Sequence, residues 1–193
     1  MIPNRAHALE AIRVLLRYIG EDPEREGLRA TPDRVLRAWS EDWGRGYRDV
    51  PLEDLVRTFD AADTGSEARY DAMVLVKDIA MHSCCEHHMA LFSGAAHIAY
   101  IPGARGLIGL SKLARVVDHF SRRLQTQERI TVQVAGFLSM HLAEHVAVII
   151  EASHSCMSSR GVMQPNAKTV TSALRGDFRD DAATRSEFLK LVG

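Results

Sequence analysis

The chain predicts an α+β protein built on a mainly antiparallel, four-stranded sheet with two helices on one face, preceded by a helical N-terminal region. Three observations carry this. The first third shows apolar residues at helical spacing only. From Met73 onward the order of elements is strand, strand, helix, helix, strand, strand, which favours hairpins and a sheet covered on one side. The chain has 193 residues and is 46% hydrophobic, enough for one good core with a small appendage. We therefore expect an N-terminal helical region over 1–70 and a sheet-bearing domain over 71–193.

The elements follow in order. Leu9, Ile12, Leu15, Leu16 and Ile19 recur at helical spacing, and Gly20 can close that helix. Thr31-Pro32-Asp33 reads as a helix start, with Thr31 as N-cap and Pro32 at the first helical position. Val35, Leu36 and Trp39 give this second helix an apolar side and leave Arg34 and Arg37 one turn apart. A short helix is expected over Leu52–Phe59, then a polar connection over Ala61–Ala68. Met73–Val76 reads as a strand leading towards a Cys-His cluster, and His97–Ile101 as a second, stopped by Pro102-Gly103. Ser111 is the expected cap of a helix carrying Leu113, Val116, Val117, Phe120 and Leu124. A further helix carries Ile130, Val134, Phe137, Leu138 and Leu142. Val146–Ala152 and Thr169–Thr171 are the remaining strands, and Thr184–Leu191 a closing helix.

Composition narrows the function classes. Lys+Arg number 24 and Asp+Glu 25, so charge favours neither nucleic acid nor a membrane surface as partner. No apolar run approaches a membrane span. Arg5, Glu10 and Arg13 in the first helical stretch argue against a secretory signal. Three cysteines clustered with histidines fit a reducing cytoplasm.

Those cysteines supply the chemistry. Cys84-Cys85-Glu86-His87-His88 and His154-Ser155-Cys156 hold all three cysteines and three of the nine histidines. A cysteine and a histidine three apart, such as Cys85 and His88, can meet on one metal across a turn. His154 and Cys156, two apart at a strand end, should share a face. A Cys-Cys-His set suits Zn²⁺ and leaves a fourth position open, as catalytic sites require. A structural zinc site would more often show Cys-x-x-Cys pairs, and there are none. Further imidazoles beside such a centre suit proton transfer near neutral pH.

The residues resemble the GTP cyclohydrolase I family. The resemblance lies in Cys85-Glu86-His87-His88, His97-Ile98-Ala99-Tyr100-Ile101-Pro102, Gly109-Leu110-Ser111-Lys112-Leu113, Gln127-Glu128-Arg129, His154-Ser155-Cys156 and Arg160-Gly161, with Thr31-Pro32-x-Arg34-Val35 near the start. Six pieces in register are specific where any one alone would be weak.

The resemblance implies the tunnelling fold and the opening of the imidazole ring of GTP. Formate is released, and 7,8-dihydroneopterin triphosphate forms after the ribose rearranges and the ring recloses. It implies Cys85, His88 and Cys156 as Zn²⁺ ligands, and His87 and His154 as proton-transfer residues. Ser111, Lys112, Arg115 and Arg160 would bind the triphosphate, with Arg34 and Arg37 contributing from another part of the assembly. Glu128 would read the guanine edge, with Gln127 beside it. It also implies a cytoplasmic homodecamer of two pentameric rings, with active sites between subunits. Ala80 and Ala90 stand where the family often has proline and Cys84 where methionine is frequent, so Cys84 could compete for metal or oxidise against Cys85 or Cys156. A zinc nucleobase deaminase is the rival enzyme, but its His-x-Glu and Pro-Cys-x-x-Cys are absent. A zinc-stabilised binding module is the rival without catalysis.

Overall fold

A computed structural model of the chain describes residues 4–59 and 70–193, so the connection expected over Ala61–Ala68 lies outside the described residues. The chain divides into two compact units, Met1–Arg45 and Gly46–Gly193. In the first, α1 (Arg5–Tyr18) begins with Asn4, whose side chain accepts from the backbone N–H of His7. This satisfies one of the helix's orphan donors. α2 (Thr31–Arg37) runs on into a π-helical turn, Ala38–Trp43, where Trp39 and Trp43 pack edge to face at 5.4 Å. The cap of α2 is Ala30 rather than Thr31, which is already helical. Asp33 links the two helices through Arg5 and pairs with Arg37 one turn on, at 3.1 Å.

In the second unit, α3 (Leu52–Leu55) is shorter than expected. Val56 turns extended, and Thr58–Phe59 form β1. An aromatic and a β-branched residue favour the extended state there. β2 (Val74–Cys85) and β3 (Leu91–Tyr100) make a long hairpin, followed by β4 (Leu107–Ile108), which pairs with β1. Then come α4 (Leu110–Ser121), β5 (Leu124–Gln125), α5 (Gln127–His141), β6 (Val146–His154), α6 (Ser155–Ser158), β7 (Thr169–Arg175), α7 (Asp177–Asp180) and α8 (Ala182–Val192). The cap of α4 is Gly109, not Ser111, which sits in its first turn.

The main sheet has five strands in the order β5-β2-β3-β6-β7, not four. The four long strands are antiparallel. The extra strand is β5, which runs parallel to β2 over two residues, Cys84 against Leu124 and Cys85 against Gln125. Two residues are too few for an alternating pattern, so the sequence reads there as the tail of a helix.

One sheet face carries Ile79, Met81, Phe92, Ile98, Tyr100, Val148 and Ile150. These pack with Leu113, Val116 and Val117 of α4 and Ile130, Val134 and Leu138 of α5 as the principal core. On the other face, Phe178 of α7 and Phe188 of α8 close over Ala99, Ala147 and Ile149. β2 is bulged between Val76 and Ile79, where Asp78 takes φ 58° and its N–H donates to His97 Nδ1 at 3.2 Å. Such a bulge bends the strand and sharpens its twist.

Gly94 marks the tightest strand contact. A Cβ there would lie 1.9 Å from Glu151 O and 2.6 Å from Ala152 Cα on β6. Backbone cannot yield as a side chain does, so Gly94→Ala should cost about 1–3 kcal/mol, the range of an overpacked core. Urea unfolding of the purified variant measures the loss.

Candidate metal centre

β3 places the site, because β2 and β6 both pair with it. Cys84 lies opposite Leu91, and Phe92 lies opposite His154. The C-terminal ends of β2 and β6 thus meet at the start of β3, and the loops beyond them converge. Cys85 ends β2. Its N–H donates to Ala90 O at 2.8 Å and its carbonyl accepts from Met89 N–H at 2.8 Å, closing the turn that carries His87 and His88. Met89 holds φ 52° in that turn. β6 ends at His154, so Cys156 is presented by α6 rather than by the strand. Ser155 Oγ donates to Leu91 O, tying α6 to β3.

The result is a group of three donors, Cys85, His88 and Cys156, whose ligand atoms all lie within 4.8 Å of one another. The donor set fits a borderline-soft divalent ion. Burial pushes the Cys156 thiol pKa up, and the adjacent Cys85 thiol pushes it the same way. Arg160 Nη1 lies 2.9 Å from His88 Nε2, at the edge of the cluster. His87 is exposed, its ring 6.4 Å from that of His88 and perpendicular to it.

Cys84 is not part of this group. It is fully buried, and strand alternation turns it to the face opposite Cys85. Burial also raises its pKa, which makes it a poor nucleophile and a poor ligand. The competition for metal expected of this second thiol therefore lacks a geometric basis.

His154 is held on two sides. Its ring stacks on buried Phe92 with centroids 4.3 Å apart and planes 10° apart, and its Nε2 lies 2.8 Å from Gln127 Oε1. Burial lowers its pKa, against a smaller opposing pull from the Glu128 carboxylate. Glu128 is exposed in the first turn of α5, whose cap is Thr126. Gln127, expected beside Glu128 as a substrate contact, points inward and spends its amide on His154 and on backbone carbonyls.

The cationic residues are distributed unevenly. Ser111 and Arg115 are exposed on the first turns of α4. Lys112 Nζ donates to Glu53 O at 2.8 Å and Asp54 O at 2.9 Å, so it bridges α4 to α3. Arg34 and Arg37 belong to the N-terminal unit, on α2.

Two contributors were not singled out from sequence. Phe92 is one. The other is the ion pair of Glu86 with Arg129, bidentate at 2.6 and 3.1 Å, which clasps the His87–His88 turn to α5. Arg129 holds the Glu86 carboxyl below its ordinary pKa. Both residues lie in motifs already quoted, but their separation of 43 positions carries no pairing signal.

The family model for GTP cyclohydrolase I matches residues 8–193. A GTP cyclohydrolase 1 of Mycolicibacterium vanbaalenii is 51% identical over 98% of this chain and 91% of its own length. One of Brucella canis is 48% identical over 98% of this chain and 86% of its own length. Among solved structures, the apo form of a QueF-like archaeosine synthase superposes with a TM-score of 0.45 at 16% identity, covering 54% of this chain and 93% of the other.

The geometry sets an outcome for metal binding. Cys84→Ala should retain the native metal content, whereas Cys85→Ala, His88→Ala and Cys156→Ala should each weaken binding by more than the roughly 10–100-fold that changes around a site cost. Metal analysis after dialysis against a competing chelator separates the two classes.

Proposed function

The chain belongs to the GTP cyclohydrolase I family, and we propose that its Cys85, His88 and Cys156 hold the Zn²⁺ with which it hydrolyses GTP. The activity opens the guanine imidazole ring, releases its carbon as formate and yields 7,8-dihydroneopterin triphosphate, the first step of tetrahydrofolate and pterin synthesis. The observation that carries the zinc reading is the convergence of two thiols and an imidazole within 4.8 Å, from two strand ends far apart in sequence. When bound, the ion supplies Lewis acidity and lowers the pKa of water in its open position.

The remaining roles fall to the chain's own groups. His87 and His154 exchange protons with the ring atoms during opening and reclosure, as general acid–base groups beside the centre. The carboxylate of Glu128 accepts from the ring N–H and exocyclic amine on one guanine edge, and its exposure and nearness to His154 support this. Ser111, Lys112, Arg115 and Arg160 bind the triphosphate, with Arg34 and Arg37 adding charge from another subunit of the assembly. The first turn of a twelve-residue helix, α4, gives Ser111 and Lys112 oriented N–H groups alongside. Lys112 has a third N–H to offer beyond its two carbonyl partners.

The assembly reading is a homodecamer of two stacked pentameric rings in which tunnelling-fold sheets close into a barrel. The sheet edges support it. Among the described residues, β2 pairs on its outer side with β5 over only two residues, and β7 ends the sheet with Val170 exposed. Unpaired edges of this length are normally paired or covered. The domain reading remains a helical region over 1–70 followed by a tunnelling-fold catalytic domain over 71–193. No helix among the described residues is long and apolar enough to cross a membrane, and the proposed location is the cytoplasm.

Two outcomes are expected. Purified protein given GTP should release formate and a pterin that fluoresces after oxidation, both lost with a chelator and restored by Zn²⁺. Ammonia in place of formate would instead mark a deaminase. By sedimentation the activity should travel with a decamer, and an active monomer would overturn the assembly reading.

A further inference from the structure

Gln127 is 1% exposed, and the direction of each of its hydrogen bonds is fixed. Its Nε2 lies 2.9 Å from Ile150 O, 2.9 Å from Thr169 O and 3.1 Å from Thr171 Oγ1. The two carbonyls can only accept. Turning the amide over would set its oxygen against both of them in a buried place, so only one orientation satisfies the group. Oε1 therefore faces His154 Nε2 at 2.8 Å and, as an acceptor, requires the hydrogen to be on Nε2. Thr131 braces the arrangement. Its hydroxyl donates to Gln127 O at 2.8 Å and, with that hydrogen spent, accepts from Thr171 Oγ1 at 2.7 Å. Phe92, stacked on the imidazole, stops it from rotating out of line.

We propose that Gln127 is a positioning residue that acts through His154, fixing the imidazole as the Nε2–H tautomer and leaving Nδ1 as the atom that exchanges protons with substrate. This rests on the reading of the chain as a GTP cyclohydrolase with His154 in proton transfer. The proton balance is simple. Neutral His154 takes a proton from the reacting molecule on Nδ1 and returns it from the same nitrogen, while the Nε2 proton stays on the Gln127 side. A neutral amide suits this task because it accepts the hydrogen bond without becoming a proton acceptor itself. The same contacts leave the buried Gln127 amide no free N–H to spend on guanine, so on this reading the edge is read by Glu128.

Two measurements on the zinc-loaded protein test this. Long-range ¹H–¹⁵N spectra of histidine-labelled native protein should show His154 protonated at Nε2 and bare at Nδ1, and Gln127→Met should bring in the second tautomer. In steady-state assays Gln127→Met should lower kcat by about 10–100-fold, the scale of a misplaced catalytic group, with KM for GTP changed less than about twofold. Thr171→Val, which removes one anchor of the amide and spares Ile150 and Thr169, should give a smaller loss of the same kind, and it serves if Gln127→Met does not fold. Native His154 protonated at Nδ1 would overturn the proposal. So would a KM raised about tenfold or more with kcat kept, which would return Gln127 to substrate binding. Native protein producing neither formate nor pterin would bring down the cyclohydrolase reading, whereas the tautomer spectrum is independent of turnover and tests the positioning by itself.

Discussion

The pairing of β3 with both β2 and β6 is the constraint on which everything else depends. Opposing residues in an antiparallel ladder are locked in register by side chains that must all stay on the core face. Here Ile79 and Met81, Phe92 and Ile98, and Val148 and Ile150 fill that face together. A one-residue slip of either neighbour would turn those side chains out and separate Cys85 from Cys156. The donor cluster is therefore a consequence of core packing: the hydrophobic pattern that stabilises the sheet also sets the distance between the thiols.

Around that centre the chain uses short-range devices to fix what the sheet leaves loose. The turn after β2 has no core side chain of its own beyond Cys85, and it is held by the Glu86–Arg129 clasp and by Glu86 N–H on Gln125 O. An exposed ion pair of this kind adds little to global stability. Its use here is geometric, because it joins the histidine-bearing turn to the helix that carries Gln127 and Glu128. Buried polar groups do the same work inside. Gln127 and Thr131 are each 1% exposed, and each has its partners supplied by β6, β7 or α5. Buried donors left unpaired would be costly, so this network resists rearrangement.

The strands and helices with strong periodicity were legible from sequence alone. β6 reads from its apolar run, and α4 from Leu113, Val116 and Val117. Errors fall where the local signal is weak or where a distant partner decides. Thr58–Phe59 became a strand because Leu107–Ile108 lies beside it, and Leu124–Gln125 because β2 does. Thr31 and Ser111 carry capping side chains, yet the caps are Ala30 and Gly109, one and two residues earlier. Backbone conformation at a helix entry is set by the preceding loop, and the residue type only biases it.

By itself, the sequence determined the donor chemistry of the site: two cysteine–histidine clusters with metal-ligand spacing. It also determined the fold class, because hydrophobic periodicity is a local property of the chain. Only the tertiary structure decided which neighbours those residues have. It turned Cys84 away from the centre, set Phe92 against His154, joined Glu86 to Arg129 and drew the Gln127 amide inward. Those outcomes depend on strand register and helix docking across long separations in sequence, and pairing at such range leaves no trace in residue type or spacing.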